Sequence, residues 1–180
     1  MIKNILIGIT GSIAAYKACV LIRELKKKKY NVKAVMSKNA SEFITPLTIE
    51  TLTENKVHLD SFKKEKDFEI EHINLAKWTD LFVIAPATAN IIGKISSGIA
   101  DNLISTTAIS IGKTPILICP AMNTNMYQHP SIQKNIDYLK SIGISFVPPK
   151  KSKLACGDEG IGALSEIEDI VNAIIKKDNK

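Results

Sequence analysis

The sequence predicts a single α/β domain, a three-layer α/β/α fold with a doubly wound parallel sheet. Two observations predict it. Along the 180 residues, short runs of consecutive apolar, mostly branched residues alternate with stretches whose apolar positions recur every three or four residues. The short runs lack polar alternation, so both faces of the sheet they form must be covered by helices.

Residues 4–10 (NILIGIT) form the first such run, stopped by Gly11. Ala14, Ala15, Ala18, Cys19, Leu21, Ile22 and Leu25 then mark one face of an amphipathic helix that ends in a lysine run, as the helix dipole favours. Residues 31–37 are the second strand. A helix over 41–53 follows, with Pro46 tolerable only in its first turn. After a polar connector over 60–71 come a strand at 80–86 and a helical stretch over 88–110 broken near Gly98. Residues 114–120 are a strand, 131–142 a helix ended by Gly143, 144–147 a strand and 165–177 the closing helix. The architecture is Rossmann-like or flavodoxin-like. In such sheets ligands bind at the carboxyl ends of the strands, which directs attention to Gly11 and Ser12, to 37–39, to 85–91 and to 120–126.

Composition narrows the function classes. With 45% hydrophobic and 23% charged residues the chain carries a sizeable core, and no apolar run approaches the roughly 18 residues that cross a bilayer. A cytoplasmic location is the expectation, with no membrane partner. The net charge is +6, but Arg23 is the only arginine, thirteen lysines fall in short runs and aromatics are 6%. Nucleic-acid readout leans on arginine forks and aromatic stacking, so solvated lysines at helix ends and loops are the preferred reading. Cys19, Cys119 and Cys156 form no CxxC pair and leave an odd count, so neither a disulfide framework nor a metal site is expected.

Three segments after strands carry candidate chemistry. Residues 11–15 (GSIAA) sit between the first strand and helix, where exposed N–H groups attract an anion, although the pattern is neither GxGxxG nor a P-loop and a plain tight turn fits equally well. Residues 86–90 (PATAN) repeat the arrangement, with helix capping by Thr88 as the alternative. Residues 120–127 (PAMNTNMY) make a poor helix start and a pocket wall, although methionines also serve as core filler. His72 and Cys156 are the reactive candidates. His58 sits in an ordinary segment, His129 is expected as a turn residue near the pocket, and Cys19 and Cys119 read as core.

Together, residues 8–17 (GITGSIAAYK), 43–48 (FITPLT), 71–78 (EHINLAKW), 85–90 (APATAN), 120–127 (PAMNTNMY) and 155–158 (ACGD) resemble the homo-oligomeric flavin-containing cysteine decarboxylases, in that family's order and spacing from Ile5 to about Ile175. The resemblance implies FMN bound between subunits of a homotrimer or a dodecamer of trimers. By position, Gly11, Ser12, Ile13, Ser37, Thr88, Ala89, Asn90, Ile91 and Ala121 would contact FMN; Ser12 stands where many relatives have a second glycine. His72 would be the active-site histidine, Asn123 the carboxylate-orienting asparagine, Met126 a further substrate contact and Cys156 the proton-donating cysteine.

The implied reaction converts 4'-phosphopantothenoylcysteine to 4'-phosphopantetheine in coenzyme A biosynthesis. A cysteine amide has no electron sink for direct loss of carbon dioxide. Oxidation of its CH2–SH unit to a thioaldehyde places the carboxylate β to a C=S bond, whose sulfur accepts the electrons; protonation and reduction of the enethiolate complete the turnover. His72 would serve as base or proton relay, and the lidlike, glycine-rich segment around Cys156 would close on substrate. Lys150, Lys151 and Lys153 are candidates for the substrate phosphate, against solvated loop charge.

Two alternatives remain within the resemblance: a peptidyl-cysteine decarboxylase of lantibiotic maturation, which lacks ACGD and stops at the enethiol, and a non-catalytic phosphatase-inhibitory subunit. Flavin prenyltransferases share the scaffold without this combination of His72, Asn123 and Cys156 segments. Many bacterial relatives carry a fused phosphopantothenate-cysteine ligase. The 180 residues leave no room for one, so either a separate ligase or a longer protein is expected.

Overall fold

The computed structural model describes residues 1–59, 71–153 and 159–178. Six strands form one parallel sheet in the order β3-β2-β1-β4-β5-β6: β1 (Asn4–Ile9), β2 (Asn31–Met36), β3 (His58–Leu59), β4 (Leu81–Ala87), β5 (Ile116–Pro120) and β6 (Ser145–Phe146). This is the doubly wound arrangement expected from the sequence. The chain runs outward from β1 to β2 and β3, then returns to pair β4 on the other side of β1, so the topological switch lies between β1 and β4.

Alternation along the strands builds two separate cores. Ile5, Ile7 and Ile9 of β1 face one layer, where they meet Leu21, Ile22 and Leu25 of α1 (Lys17–Lys27), Ile49 of α2 (Pro46–Thr53) and Ile170 and Ile174 of α8 (Ile167–Asp178). Leu6 faces the opposite layer. There it joins Phe82 and Ile84 with Leu75 of α3 (Glu71–Trp78), Ile91, Ile92 and Ile95 of α4 (Ala89–Ser96), Ile104 of α5 (Leu103–Ser110) and Ile136 and Leu139 of α7 (Pro130–Ser141). Both faces are dry, which is why the strands read as unbroken apolar runs.

Several elements differ from expectation, each for a local reason. The second helix begins at Pro46 rather than residue 41: proline occupies N1, and the preceding residues 38–42 form a 3-10 turn capped by Ser37. The 88–110 stretch, by contrast, is divided into two helices as expected, at Gly98 with φ +69°. α3 was not anticipated, because its flanks are polar and only Leu75 is buried. Residues 120–127 do start a helix, the short α6 (Thr124–Gln128), because the Asn123 side chain caps it. The lidlike segment expected around Cys156 falls on residues 154–158, outside the described residues; on either side of it in the sequence, β7 (Lys150–Lys153) and β8 (Glu159–Ala163) pair antiparallel as a hairpin outside the main sheet.

Candidate active site

The carboxyl ends of β1, β2, β4 and β5 lie along one edge of the sheet, and a small polar residue follows or caps each. After β1, the Ser12 hydroxyl accepts from the Ala14 amide at 3.2 Å. After β2, the Ser37 hydroxyl accepts from the Ala40 amide at 3.3 Å. After β4, Thr88 caps α4 at the Ile91 amide. Capping, the alternative raised for Thr88, therefore holds in the structure, and Ser12 and Ser37 cap turns as well. It does not exhaust them: each hydroxyl has accepted one bond and retains its own proton to donate.

Thr10 fixes the two loops at the switch relative to each other. Its buried hydroxyl donates to the Pro86 carbonyl at 2.7 Å and accepts from the Thr88 amide at 3.0 Å. Gly11 comes next because the adjacent loop leaves no room for a side chain: a Cβ there would stand 2.5 Å from Cβ of Asn39. Sequence reasoning passed over Thr10 as the end of a strand. Its signal was a hydroxyl ending an otherwise apolar buried run.

Two adjoining cavities open at this edge. The larger, of about 590 Å³, is lined by Gly11, Ser12, Ile13, Thr88, Ala89 and Ala121 together with Asn123, Met126, Lys17, Lys150 and Ser152. The second, of about 370 Å³, is lined by Gly11, Ser37, Thr88, Asn90, Ile91 and Met126 among others. Both fall in the range of roughly 300 to 1,000 Å³ usual for small-ligand sites. All nine positions expected at the cofactor line one or the other, and Gly11, Thr88 and Met126 line both. Lys94 and Asp101, 2.7 Å apart, form an ion pair on the wall of the second cavity; hydrogen bonding from Lys94 holds the Asp101 carboxyl below the usual carboxylate range.

The third wall of the larger cavity is the segment after β5. Ala121 donates to the Ala87 carbonyl at 2.9 Å, and Met122 donates to the Gly162 carbonyl of β8 at 2.9 Å. The Asn123 Oδ1 accepts from the Asn125 amide at 2.8 Å, which fixes the side chain as a helix cap while it lines the cavity. The hairpin closes on this segment without clearance. A Cβ on Gly162 would stand 2.2 Å from the Met122 carbonyl oxygen, and Gly162 has φ +153°.

Not every expected site residue is gathered here. His72 is half-buried in the first turn of α3, which packs against α5, and lines neither cavity. His129 caps α7 and likewise lines neither. Cys156 lies outside the described residues, beyond the end of β7. Cys119 is fully buried and desolvation drives its thiol pKa far up, while Cys19 packs against the core and is also raised by burial. Both behave as core residues. Among the described residues no group of three or more His, Cys, Asp or Glu side chains is placed to hold a metal, and no helix is long and apolar enough to cross a membrane.

A doubly wound α/β domain with hydroxyl-capped loops around adjoining cavities at its switch point defines a nucleotide-binding class of protein. The chain belongs to the Flavoprotein family, whose model matches residues 1–179. It is 44% identical over 169 residues to the coenzyme A biosynthesis bifunctional protein CoaBC of Bacillus subtilis, covering 94% of this chain and 41% of that protein. It is 39% identical over 172 residues to the phosphopantothenoylcysteine decarboxylase of Mus musculus, covering 93% and 83%. The chain therefore spans about two fifths of the bifunctional relative and most of the monofunctional one.

Two solved structures share the fold over the whole chain. A cysteine-to-serine variant of PPC decarboxylase complexed with pantothenoylaminoethenethiol superposes with a TM-score of 0.87 at 31% identity, covering 100% of both chains. The FMN-binding protein AtHal3 gives a TM-score of 0.83 at 31% identity, covering 100% of this chain and 99% of its own.

The residues present fit FMN. The Ser12, Ser37 and Thr88 hydroxyls are proton donors suited to phosphate and ribityl oxygens, and the apolar lining of Ile13, Ala89 and Ala121 suits a flat ring.

Proposed function

We infer that this chain is an FMN-dependent phosphopantothenoylcysteine decarboxylase, converting 4'-phosphopantothenoylcysteine to 4'-phosphopantetheine in coenzyme A biosynthesis. The observation that carries the reading is the meeting of two sets of residues in one cavity. The loops after β1 and β4 supply cofactor-binding positions, and the segment after β5 supplies Asn123 and Met126. Similarity to phosphopantothenoylcysteine decarboxylase over nearly the whole chain supports the same substrate.

FMN, when bound, supplies the two-electron acceptor that is needed before carbon dioxide can leave and the donor needed after it. The protein's own groups handle binding and protons. Asn123, held as a helix cap, directs its neutral amide at the substrate carboxylate. Neutrality matters, because a cation there would stabilise the charged ground state more than the departing carbon dioxide. Met126 packs on the pantothenoyl chain. His72 takes the proton from the substrate thiol as the general base. Cys156 returns a proton to carbon.

His72 reaches the reaction from another copy of the chain in this reading. It lines neither cavity, whereas Ile13 and Tyr16, 59% and 56% exposed, present apolar surface at the cavity. A homotrimer, or a dodecamer of trimers, brings α3 of one subunit to the cavity of the next. We read residues 1–180 as one decarboxylase domain acting in the cytoplasm, with the ligase step carried by a separate protein or by sequence outside these residues.

The test is incubation of the FMN-loaded protein with 4'-phosphopantothenoylcysteine, following carbon dioxide and product mass together. The reading expects a saturated thiol; a product two hydrogens lighter marks a peptidyl-cysteine-type enzyme, and absence of carbon dioxide overturns the assignment. In the Cys156→Ser variant, carbon dioxide release persists and the lighter enethiol accumulates; normal product from that variant removes the role given to Cys156.

A further inference from the structure

Charge in the larger cavity is confined to two side chains among the described residues that line it, Lys17 and Lys150, and no carboxylate lines it. Ser152 lines it as well. Lys150 and Ser152, two residues apart on β7, thus both reach it, with a register shift against β8 between Lys150 and Lys151. The Lys150 ammonium is engaged in a short ion pair with Glu166, just ahead of α8. Glu166 is not a cavity residue; its side chain is 61% exposed, against 34% for Lys150. Hydrogen bonding from Lys150, with a smaller contribution from the charge of Lys17, holds the Glu166 carboxyl below its ordinary range.

Lys150 therefore belongs to the cavity by position and to a solvent-facing carboxylate by its present contact. Ion pairs so exposed hold weakly. A phosphate monoester inside the cavity is a better partner: it carries nearly two charges, offers three acceptor oxygens, and meets the Ser152 hydroxyl beside Lys150.

We propose that Lys150 and Ser152 form the subsite for the phosphate-monoester end of the substrate, and that Glu166 is the placeholder counter-ion that Lys150 leaves when this phosphate arrives. The proposal rests on the substrate assignment above. It gives the two ends of the substrate different recognition. The cysteine carboxylate meets the neutral amide of Asn123, where a cation would be unproductive. The phosphate, which does not react, meets the cation. β8 joins the two ends mechanically, since Gly162 is bonded to Met122, beside Asn123, and Ala163 pairs with Lys150. Glu166 keeps Lys150 neutralised while the subsite is empty, so a dianion competes for the lysine better than a monoanion does.

The experiment measures binding of 4'-phosphopantetheine and of unphosphorylated pantetheine to the FMN-loaded full chain by calorimetry, with turnover of the phosphorylated substrate measured in parallel. Lys150→Gln is expected to weaken the phosphorylated ligand by roughly tenfold, the loss of one charge-assisted hydrogen bond, while leaving pantetheine unchanged. Lys150→Arg retains most of the preference. Glu166→Gln tightens the phosphorylated ligand by about two- to threefold, because the competitor for Lys150 loses its charge. Equal losses for both ligands in Lys150→Gln, no loss for either, or weaker phosphate binding in Glu166→Gln overturns the proposal. A wild-type chain that discriminates through Lys150 but releases no carbon dioxide would instead overturn the decarboxylase assignment and leave the phosphate subsite standing.

Discussion

The backbone amide of Met122 donates to the carbonyl of Gly162 at 2.9 Å, so the segment that presents Asn123 and the hairpin that leads to Cys156 form one mechanical unit. Gly162 permits this approach because a side chain there would occupy the space of the Met122 carbonyl. Gly162→Val is expected to push β8 away from residues 122–124 while leaving the loops after β1 and β4 intact. Misplacement by about 1 Å costs on the order of 100-fold in rate. The variant should therefore retain its flavin absorbance spectrum and lose at least that much decarboxylation, measured as kcat/KM; turnover near wild type would show that the contact does not position the site.

Asn123 offers a cleaner separation of fold from chemistry. An aspartate carboxylate accepts the Asn125 amide as well as the present Oδ1 does, so Asn123→Asp preserves the cap of α6. In the proposed reading it also places a negative charge against the substrate carboxylate. Turnover should be abolished while FMN remains bound and the melting temperature changes little. Wild-type decarboxylation in this variant would remove Asn123 from carboxylate recognition.

The origin of His72 is open to a mixing experiment. His72→Asn and Asn123→Asp chains are each expected to be inactive alone. If His72 crosses to a neighbouring subunit, oligomers reassembled from equal amounts contain wild-type sites at about one in four, the frequency given by random assembly around a cyclic axis. Recovery of carbon dioxide release toward that level supports a shared site. No recovery after verified subunit exchange places His72 and Asn123 in the same chain's site.

Legibility from the sequence followed how much of each signal was local. The central strands and α1 were readable because burial on both sheet faces leaves unbroken apolar runs and a strong helical stripe. β3 and α3 escaped notice because the first is two residues long and the second buries only Leu75. Gly160 and Gly162 read from the sequence as flexibility beside Cys156; they are the places where β8 meets Thr124 and Met122 too closely for side chains. Capping and ligand binding likewise looked like competing readings of Thr88, as did a tight turn and ligand binding at Ser12. The structure shows the same hydroxyls capping turns and helices and lining the cavities. His72 carried no comparable local signal: it sits in the first turn of α3, away from both cavities.

Cys119 makes the protein's response to alkali predictable. The thiol is fully buried, and desolvation raises its folded pKa well above the ordinary value. The folded chain keeps this proton where the unfolded chain releases it, so the group contributes full stability below the unfolded thiol pKa, about 8.5. That contribution diminishes as pH rises past this value. Denaturation midpoints should fall between pH 8.5 and 10.5, and Cys119→Ala, less stable at neutral pH because of the cavity it leaves, should show a shallower fall. An identical slope in the two proteins would assign the alkaline loss to other groups.

Thr10 carries the strongest prediction about how the fold builds the site. Its single hydroxyl joins the ends of β1 and β4 by donating to the Pro86 carbonyl and accepting from the Thr88 amide. Thr10→Val keeps the shape and removes both hydroxyl bonds; the Pro86 carbonyl keeps the Thr10 backbone amide at 3.3 Å, so it is the Thr88 amide that loses its partner, at a cost of about 1 to 3 kcal/mol. The loss of stability alone would be unremarkable for a buried polar residue. What distinguishes Thr10 is that the released amide belongs to Thr88, which lines both cavities and caps the helix between them. FMN affinity should therefore fall together with the melting temperature. Ser165→Ala is a control, since Ser165 is also buried but lines neither cavity. Its expected effect is a change in stability with cofactor affinity intact. Equal FMN affinities for Thr10→Val and wild type, measured by flavin fluorescence at a temperature where both are folded, would limit Thr10 to holding the sheet together.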